Sequence, residues 1–302
     1  MFARHQGKVM TKKASNSEDF GQLARAMRAR LHRYCARMVG SAFDGEDVVQ
    51  DALAKAAEAW PGAGPIEQPE AWLFRIAHNT ALDALRRRKR QAASPQADAG
   101  EVADESATAD ARVAATASLA AILLLPITQR ASVVLIDVLG HSLAETATIL
   151  DVSVAAVKAS LHRARAQLKA LAELSEPPSP VFSDDERARL RAYADRFNAR
   201  DFDALRNLLA DEVQLELVNR TRLNGRKDVS VYFSRYDAGP PDWRFSAGLA
   251  ERRPALLVSD PADASCAVRY VVLLDWIDGR IAAIRDFRYA EYVMDSVEAE
   301  RI

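Results

Sequence analysis

The chain has 302 residues, about twice the roughly 150 of a typical domain, so two or three compact units are expected rather than one core. Hydrophobic residues make up 49% and charged residues 27%, which excludes a wholly disordered, collagen-like or fibrous chain. The 41 basic and 42 acidic residues nearly cancel, so any nucleic-acid surface must arise from local segregation of charge. Cys35 and Cys266 are the only cysteines; they exclude a disulfide framework and a Cys-only metal site and suit a reducing compartment.

Residues 1–17 are basic at first but lead into no apolar stretch, so they read as a flexible tail, with Met10 as a second candidate start. No apolar run reaches the roughly 18 residues that a membrane span needs. The expectation is a cytoplasmic protein with no membrane partner.

From residue 18 to 91 the pattern is helical. Phe20, Leu23, Met27, Leu31 and Tyr34 recur at three- and four-residue spacing, as one buried helix face requires. A second helix begins near Asp44. Its apolar side is Val49, Ala52, Leu53, Ala56 and Trp60, which leaves Asp47, Gln50, Asp51 and Glu58 on an acidic outer face. Early acids stabilise a helix N-terminus, but Asp51 and Glu58 lie too far along for that explanation.

The next helix, from Pro69 to Arg90, buries Leu73, Ile76, Ala77, Thr80 and Ala84. The other face carries Trp72, Arg75, Asn79, Asp83 and Arg86, followed by Arg87, Arg88, Lys89 and Arg90. A Trp beside Arg and Asn on one stripe can stack unpaired bases, bond to their edges and meet the backbone charge. The alternative is that Trp72 packs on the preceding loop and that the cations answer the helix dipole.

Residues 92–117 are rich in Ala, Ser, Asp and Glu and read as an acidic linker. Residues 118–172 hold three or more short helices. Ser142 and Glu145 have capping-box spacing, the helix they open stops near Leu150, and Ser153 can cap the next. That is the layout of a helix-turn-helix. On the second helix Val154, Val157, Leu161, Ala164 and Leu168 form a core stripe. The opposite surface carries Ala155, Ala159, His162 and Arg163, with Lys158 and Arg165 on a flank, so that small side chains permit close approach and cations reach phosphates. An ordinary helical hairpin with a basic solvated face is the other reading. Asp151 stands where many such turns have Gly, and Asp tolerates the left-handed conformation.

After a Pro-rich linker, 173–182, the texture from 183 to 295 becomes α+β, with a short tail at 296–302. Ser183 and Glu186 form a second capping box ahead of Leu190, Ala194 and Phe197. Strands are expected at Val213–Val218, Trp243–Leu249, Cys266–Trp276 and Arg280–Tyr289. The last two are joined at Asp278-Gly279, a two-residue hairpin signal. All five His residues precede this domain, so an acid or base there would have to be Asp, Glu, Tyr or Cys266; Asp275, Asp286, Tyr193 and Tyr270 are the pocket candidates.

Two of these blocks resemble the extracytoplasmic-function (ECF) sigma factors of bacterial RNA polymerase. The segment Asp44 to Ala52 is similar to the region-two motif that binds the polymerase clamp helices. Trp72 to Asn79, continuing through Asp83 to Arg88, resembles the segment that opens and reads the −10 element, with the loop Pro61–Gln68 pocketing a flipped base. Leu125-Pro126, Gln129-Arg130, Asp137 to Gly140 and Ser153 to Lys158 resemble region four, which reads the −35 element. Residues 183–295 resemble a SnoaL-like domain by pattern more than by motif, with only Asn224-Gly225 where some groups carry Asp-Gly-Gly-Gly.

The resemblance implies two all-α domains, sigma region 2 and helix-turn-helix region 4, followed by an α+β cone-shaped barrel. It implies a promoter-specificity subunit whose partners are core RNA polymerase (clamp and flap) and promoter DNA. The −10 residues would be Trp72, Arg75, Asn79, Arg86, Arg87 and Arg88. The −35 residues would be Ser153, Ala155, Ala156, Lys158, His162, Arg163 and Arg165, and the polymerase-binding residues Asp47, Gln50, Asp51 and Glu58. No cofactor, metal or catalytic residue is expected. The C-terminal domain is expected to regulate, by an intramolecular contact or a small ligand. The rival reading is a helix-turn-helix regulator fused to a small-molecule sensor, and a third is a SnoaL-like isomerase or hydrolase carrying a DNA-binding accessory.

Overall fold

A computed structural model describes residues 4–91, 119–171, 183–240 and 242–302. The chain divides into two compact units, Met1–Glu176 and Pro177–Ile302.

The first unit is all-helical. Helix α1 (Arg4–Val39) begins within the segment expected to be a tail. Helix α2 (Ala42–Ala59) starts at Ser41, whose hydroxyl accepts from the Asp44 amide, and passes into a 3-10 turn at Trp60–Gly62. Helix α3 (Pro69–Gln91) opens on a proline, which costs nothing where the amide would have no helical partner. Helices α4 (Leu119–Leu123) and α5 (Ile127–Val133) lead into a π-helical turn, Val134–Val138. Helix α6 (Leu143–Leu150) carries the full Ser142–Glu145 capping box. It ends on Asp151 in the left-handed conformation, φ 58° and ψ 47°, before α7 (Val154–Leu171).

One continuous core runs through this unit. Leu31, Tyr34, Phe74, Ile122, Val134 and Leu135 are all fully buried within it. Each such side chain contributes about 1.5–3 kcal/mol relative to exposure. Val157, Leu161, Ala164 and Leu168 are buried as the periodicity of α7 requires, but Val154 is 41% exposed. It sits in the first turn of the helix, ahead of the residues that pack.

The second unit is α+β. Helices α8 (Asp184–Asn198) and α9 (Phe202–Asn207) precede strands β1 (Leu209–Leu217) and β2 (Thr221–Asn224), then α10 (Arg226–Ala238). Strands β3 (Arg244–Ala250), β4 (Arg253–Ser259), β5 (Val268–Ile277) and β6 (Arg280–Asp286) follow, with a 3-10 turn at Glu291–Ser296 and β7 (Ala299–Arg301). The sheet order is β2-β1-β6-β5-β4-β3-β7; β1 and β6 are parallel and every other pair is antiparallel. The sheet is open, with β2 and β7 at its edges, rather than the closed barrel expected from the sequence.

The β5–β6 hairpin pairs Ile277 with Arg280, and both central residues have positive φ, Asp278 at 50° and Gly279 at 75°. That is the twist a two-residue hairpin turn demands, and glycine supplies it without strain. Strands β2, β4 and β7 and helix α10 were not anticipated.

Candidate nucleic-acid interface and the buried acids

The acidic face of α2 and the cationic end of α3 lie side by side. Arg86 pairs with Asp83 at 3.3 Å and Arg87 with Asp51 at 3.6 Å, while Arg88 holds Asp44 and donates to the Val39 carbonyl at 2.9 Å. Each of these three arginines therefore has a carboxylate, and Arg88 ties the end of α3 to the α1–α2 junction. Lys89 and Arg90 are exposed. Lys55, Arg86, Arg87, Lys89 and Arg90, with Asp83, line an open groove of about 770 Å³ between α2 and α3.

Asn79 is exposed on the same stripe as Asp83 and Arg86, and its amide has no partner among the described residues. Trp72 is half-buried. Its ring lies 5.6 Å from Trp60, which in turn contacts Phe20 at 5.5 Å, so it belongs to an aromatic cluster on the preceding turn rather than standing free. Arg75 donates to the Thr148 carbonyl at 2.7 Å and pairs with Asp151 at 3.2 Å. The loop Pro61–Gln68 is exposed apart from a half-buried Ile66.

On α2, Asp47 and Glu58 are exposed, Gln50 is half-buried with its amide 3.5 Å from Glu46, and Asp51 is held by Arg87. On α7, Ser153 caps the helix by accepting from the Ala156 amide at 3.1 Å. Ala155, Ala156 and Lys158 are exposed, and His162 and Arg163 are half-buried. Arg165 departs from the expected surface role. It makes a two-pronged pair with Asp137 at 2.7 and 3.0 Å, with the Asp137 side chain 2% exposed, and so ties α7 to the π-helical turn.

The sequence reading missed Arg130 as a structural anchor. Only 6% exposed, it donates to three carbonyls, Met38 at 2.5 Å, Leu123 at 2.7 Å and Leu125 at 3.0 Å, and burial lowers its pKa. It also missed the pair of His78 Nδ1 with the Tyr34 hydroxyl, 2.7 Å apart; burial lowers the His78 pKa to about 4. The pair of half-buried Arg28 with buried Glu46, at 2.6 Å, was equally hidden. Nothing in the one-dimensional pattern separates a buried charge from an exposed one on an amphipathic helix.

In the second unit the pocket candidates separate. Asp286 is fully buried and accepts from the Tyr232 hydroxyl at 2.9 Å, the Tyr236 hydroxyl at 3.1 Å and the Arg288 amide at 2.8 Å. Tyr270 joins through Tyr236, 3.3 Å away. Burial raises the Asp286 pKa against these bonds, and it raises that of Tyr193, whose buried hydroxyl has no partner among the described residues. Around them pack Phe197, Trp243 and Phe245, with Phe197 and Phe245 stacked at 3.9 Å. Asp275 is exposed and lies elsewhere, in the lining of a cavity of about 540 Å³ that also includes Arg189, Arg253, Trp276 and Asp278. There the Arg189 guanidinium lies 6.0 Å from the Trp276 ring centre. Among the described residues no cluster of His, Cys, Asp and Glu could hold a metal ion, and no helix is long and apolar enough to cross a membrane.

A helix-turn-helix with an exposed small-residue face follows a helical domain with a cationic groove, and the comparisons with known proteins identify this pairing as that of a sigma-70 type polymerase subunit. Residues 23–91 match Sigma-70 region 2, residues 118–168 match Sigma-70 region 4, and residues 190–284 match the SnoaL-like domain. The chain is 34% identical over 271 residues to the ECF RNA polymerase sigma factor SigG of Mycobacterium tuberculosis, spanning 78% of this chain and 72% of that protein. It is 38% identical over 155 residues to SigM of the same species, spanning 50% of this chain and 76% of SigM. A crystal structure of the M. tuberculosis ECF sigma factor SigJ aligns at 21% identity and a TM-score of 0.35, covering 88% of this chain and 95% of that one. The chain belongs to the ECF RNA polymerase sigma factors. It directs promoter-specific transcription initiation, a non-enzymatic role.

Proposed function

We propose that the groove between α2 and α3 carries the −10 strand, with Asn79 bonding to base edges and Lys55, Arg86, Arg87, Lys89 and Arg90 meeting phosphates. The observation that supports this is the cationic lining of the groove beside an Asn with no competing partner. Arg86, Arg87 and Arg88 exchange carboxylates for phosphates only in part, since Arg88 also braces the fold. Trp72 contributes the exposed part of its ring, and Arg75 joins the set when released from the turn after α6. The exposed first turns of α7, with Ser153, Ala155, Ala156 and Lys158, read the −35 element, and His162 and Arg163 flank them. Asp47, Gln50, Asp51 and Glu58 form the face offered to the polymerase clamp, and region four meets the flap.

The working assay is initiation by core RNA polymerase on genomic promoter fragments. Asn79→Ala is expected to lower promoter output and relax sequence preference at one position, whereas Lys89→Ala weakens binding to all sequences alike. Salt should weaken binding with a slope of about 0.9 per phosphate neutralised. Transcripts of equal yield and start from Asn79→Ala would remove this reading of α3.

The C-terminal domain regulates that output. It takes a small ligand at the cavity beside Arg189 and Trp276. Removing the residues after Ala172 is expected to change promoter output, and unchanged output would refute a regulatory role.

A further inference from the structure

The cavity beside Trp276 lies at a gap in the sheet of the second unit. Strand β4 pairs with β5 only from Leu256–Val272 to Ser259–Val268, so β5 runs on from Leu273 to Ile277 with β6 alone as its neighbour. The first two turns of α8 and the start of β4 supply the other walls. Pairing between β5 and β6 slips by one residue between Asp275 and Trp276. Such a slip re-aims side chains that would otherwise alternate across the sheet, and these two neighbours both line the cavity.

The lining carries three cations, Arg189, Arg253 and Arg285, and three carboxylates, Glu186, Asp275 and Asp278. Two of the six are engaged. Glu186 accepts from the Ser183 amide at 3.2 Å and from its hydroxyl at 2.8 Å, and Arg285 meets Glu216 at 3.0 Å. The other four are exposed, and their side chains have no hydrogen-bond or ion-pair partner among the described residues. The two signs come from opposite walls: Arg189 from α8 and Arg253 from β4, Asp275 and Asp278 from the β5–β6 hairpin. Half-buried Trp276 adds a flat apolar surface, with the Arg189 guanidinium 6.0 Å from its ring centre.

We infer that this cavity takes a zwitterion with a flat ring, an aromatic amino acid, whose carboxylate meets Arg189 and Arg253, whose ammonium meets Asp275 and Asp278, and whose ring lies against Trp276. The inference rests on the reading of the cavity as a ligand site. A simple anion would enter against two carboxylates and a simple cation against two guanidiniums, and like charges brought together select against both. A ligand with both signs engages all four groups. The guanidinium fork matches a carboxylate, and an offset ring on an indole adds to the area it buries. At about 540 Å³ the cavity falls within the roughly 300–1,000 Å³ of small-molecule sites.

The test titrates the full chain, by calorimetry and ligand-observed NMR, with L-tryptophan, indole-3-propionate, tryptamine and L-leucine. The second probe lacks the ammonium, the third the carboxylate and the fourth the flat ring. L-tryptophan is expected to bind tightest, with each of the others weaker by about three- to ten-fold. Arg253→Ala should weaken L-tryptophan and indole-3-propionate without weakening tryptamine. Asp275→Asn should weaken L-tryptophan and tryptamine without weakening indole-3-propionate. Both substituted side chains are exposed, so neither change disturbs the core. Indole-3-propionate or tryptamine binding as tightly as L-tryptophan would overturn the zwitterion and leave a ligand site of one charge. L-leucine binding as tightly would overturn the role of the ring, and no binding of any probe at millimolar concentration would overturn the inference as a whole. Promoter output from the chain ending at Ala172 judges regulation separately. Changed output with no probe bound would leave the regulatory reading standing and the ligand class refuted, whereas L-tryptophan bound as expected with unchanged output would do the reverse.

Discussion

Among the described residues each unit completely buries one acidic residue, Glu46 in the helical unit and Asp286 in the α+β unit, and the two are satisfied by different means. In the helical unit Glu46 is 0% exposed and meets the Arg28 guanidinium at 2.6 Å, an ion-pair partner reaching in from α1. In the α+β unit Asp286 is also 0% exposed, but its bonds come from two tyrosine hydroxyls and a backbone amide, and the cost of burying its charge raises its pKa. An ion pair suits a helix-packed unit in which α1 brings a long cation alongside α2. A hydroxyl cage suits an aromatic core, where rings supply both the packing and the donors.

The largest expected effect breaks the first arrangement. Arg28→Met removes the guanidinium beside the buried Glu46, which should cost about 3 kcal/mol or more in the helical unit. Urea unfolding followed by hydrogen exchange, which resolves the two units within the full chain, would show the loss confined to α1–α3; a change under 1 kcal/mol would mean that Glu46 has another adequate partner.

Acid should then pull the units apart. His78 is held neutral, with a pKa of about 4 against 6.5 unfolded. Its contribution is fully present above 6.5 and lost as pH falls toward 4, at most about 3 kcal/mol and less after solvent screening. His141 is lowered in the same direction by burial and by Arg30. Asp286 has the opposite sign: its raised pKa makes the folded state bind the proton more readily, so its contribution is fully present at and below about 3.8 and is lost as pH rises through the folded value. His78→Gln should flatten the acid slope of the helical unit alone, and Asp286→Asn that of the α+β unit alone. If Asp286→Asn leaves the second slope unchanged, the hydroxyl cage is not what sets it.

At neutral pH the same Asp286→Asn variant keeps an acceptor for the Tyr232 and Tyr236 hydroxyls and removes a buried charge. Its stability should therefore stay within about 1 kcal/mol of the parent, whereas Asp286→Ala takes the acceptor from the Tyr232 hydroxyl, leaves the Tyr236 hydroxyl with Tyr270 alone and should cost about 2 kcal/mol or more. The smallest contrast uses a device common to both units. Ser142→Ala and Ser183→Ala each remove a capping-box hydroxyl and should cost about 1 kcal/mol apiece in their own unit. A loss that appeared in the other unit would show that the two unfold together.

Local devices were the most legible in the sequence. The capping boxes at Ser142 and Ser183, the left-handed Asp151 and the Asp278-Gly279 hairpin all depend on neighbours within a few residues, and all appear where the spacing put them. The helices of regions two and four followed from periodicity, because a helix that buries one face must repeat its apolar residues. Strand β4 was missed, although its run Ala255 to Ser259 is continuously buried, because a strand covered on both faces does not alternate. Strands β2 and β7, of four and three residues, are too short to carry a period. Val154 went to the wrong face because periodicity assigns a stripe but not where along the helix its partner ends.

By itself, the sequence determined the order of the domains, the caps and turns, the apolar face of each long helix, and which residue types the outer helix faces could offer. Tertiary structure alone decided which of those charges are spent. Arg165 goes to Asp137, Arg88 braces α1, Arg75 is held by the turn of region four, and Asn79 and Lys158 stay exposed. The reason is range. Caps and periodicity act over a few residues along the chain, whereas a guanidinium chooses among acceptors that only folding brings within about 3 Å, and in these cases they lie 28 to 76 positions away in sequence.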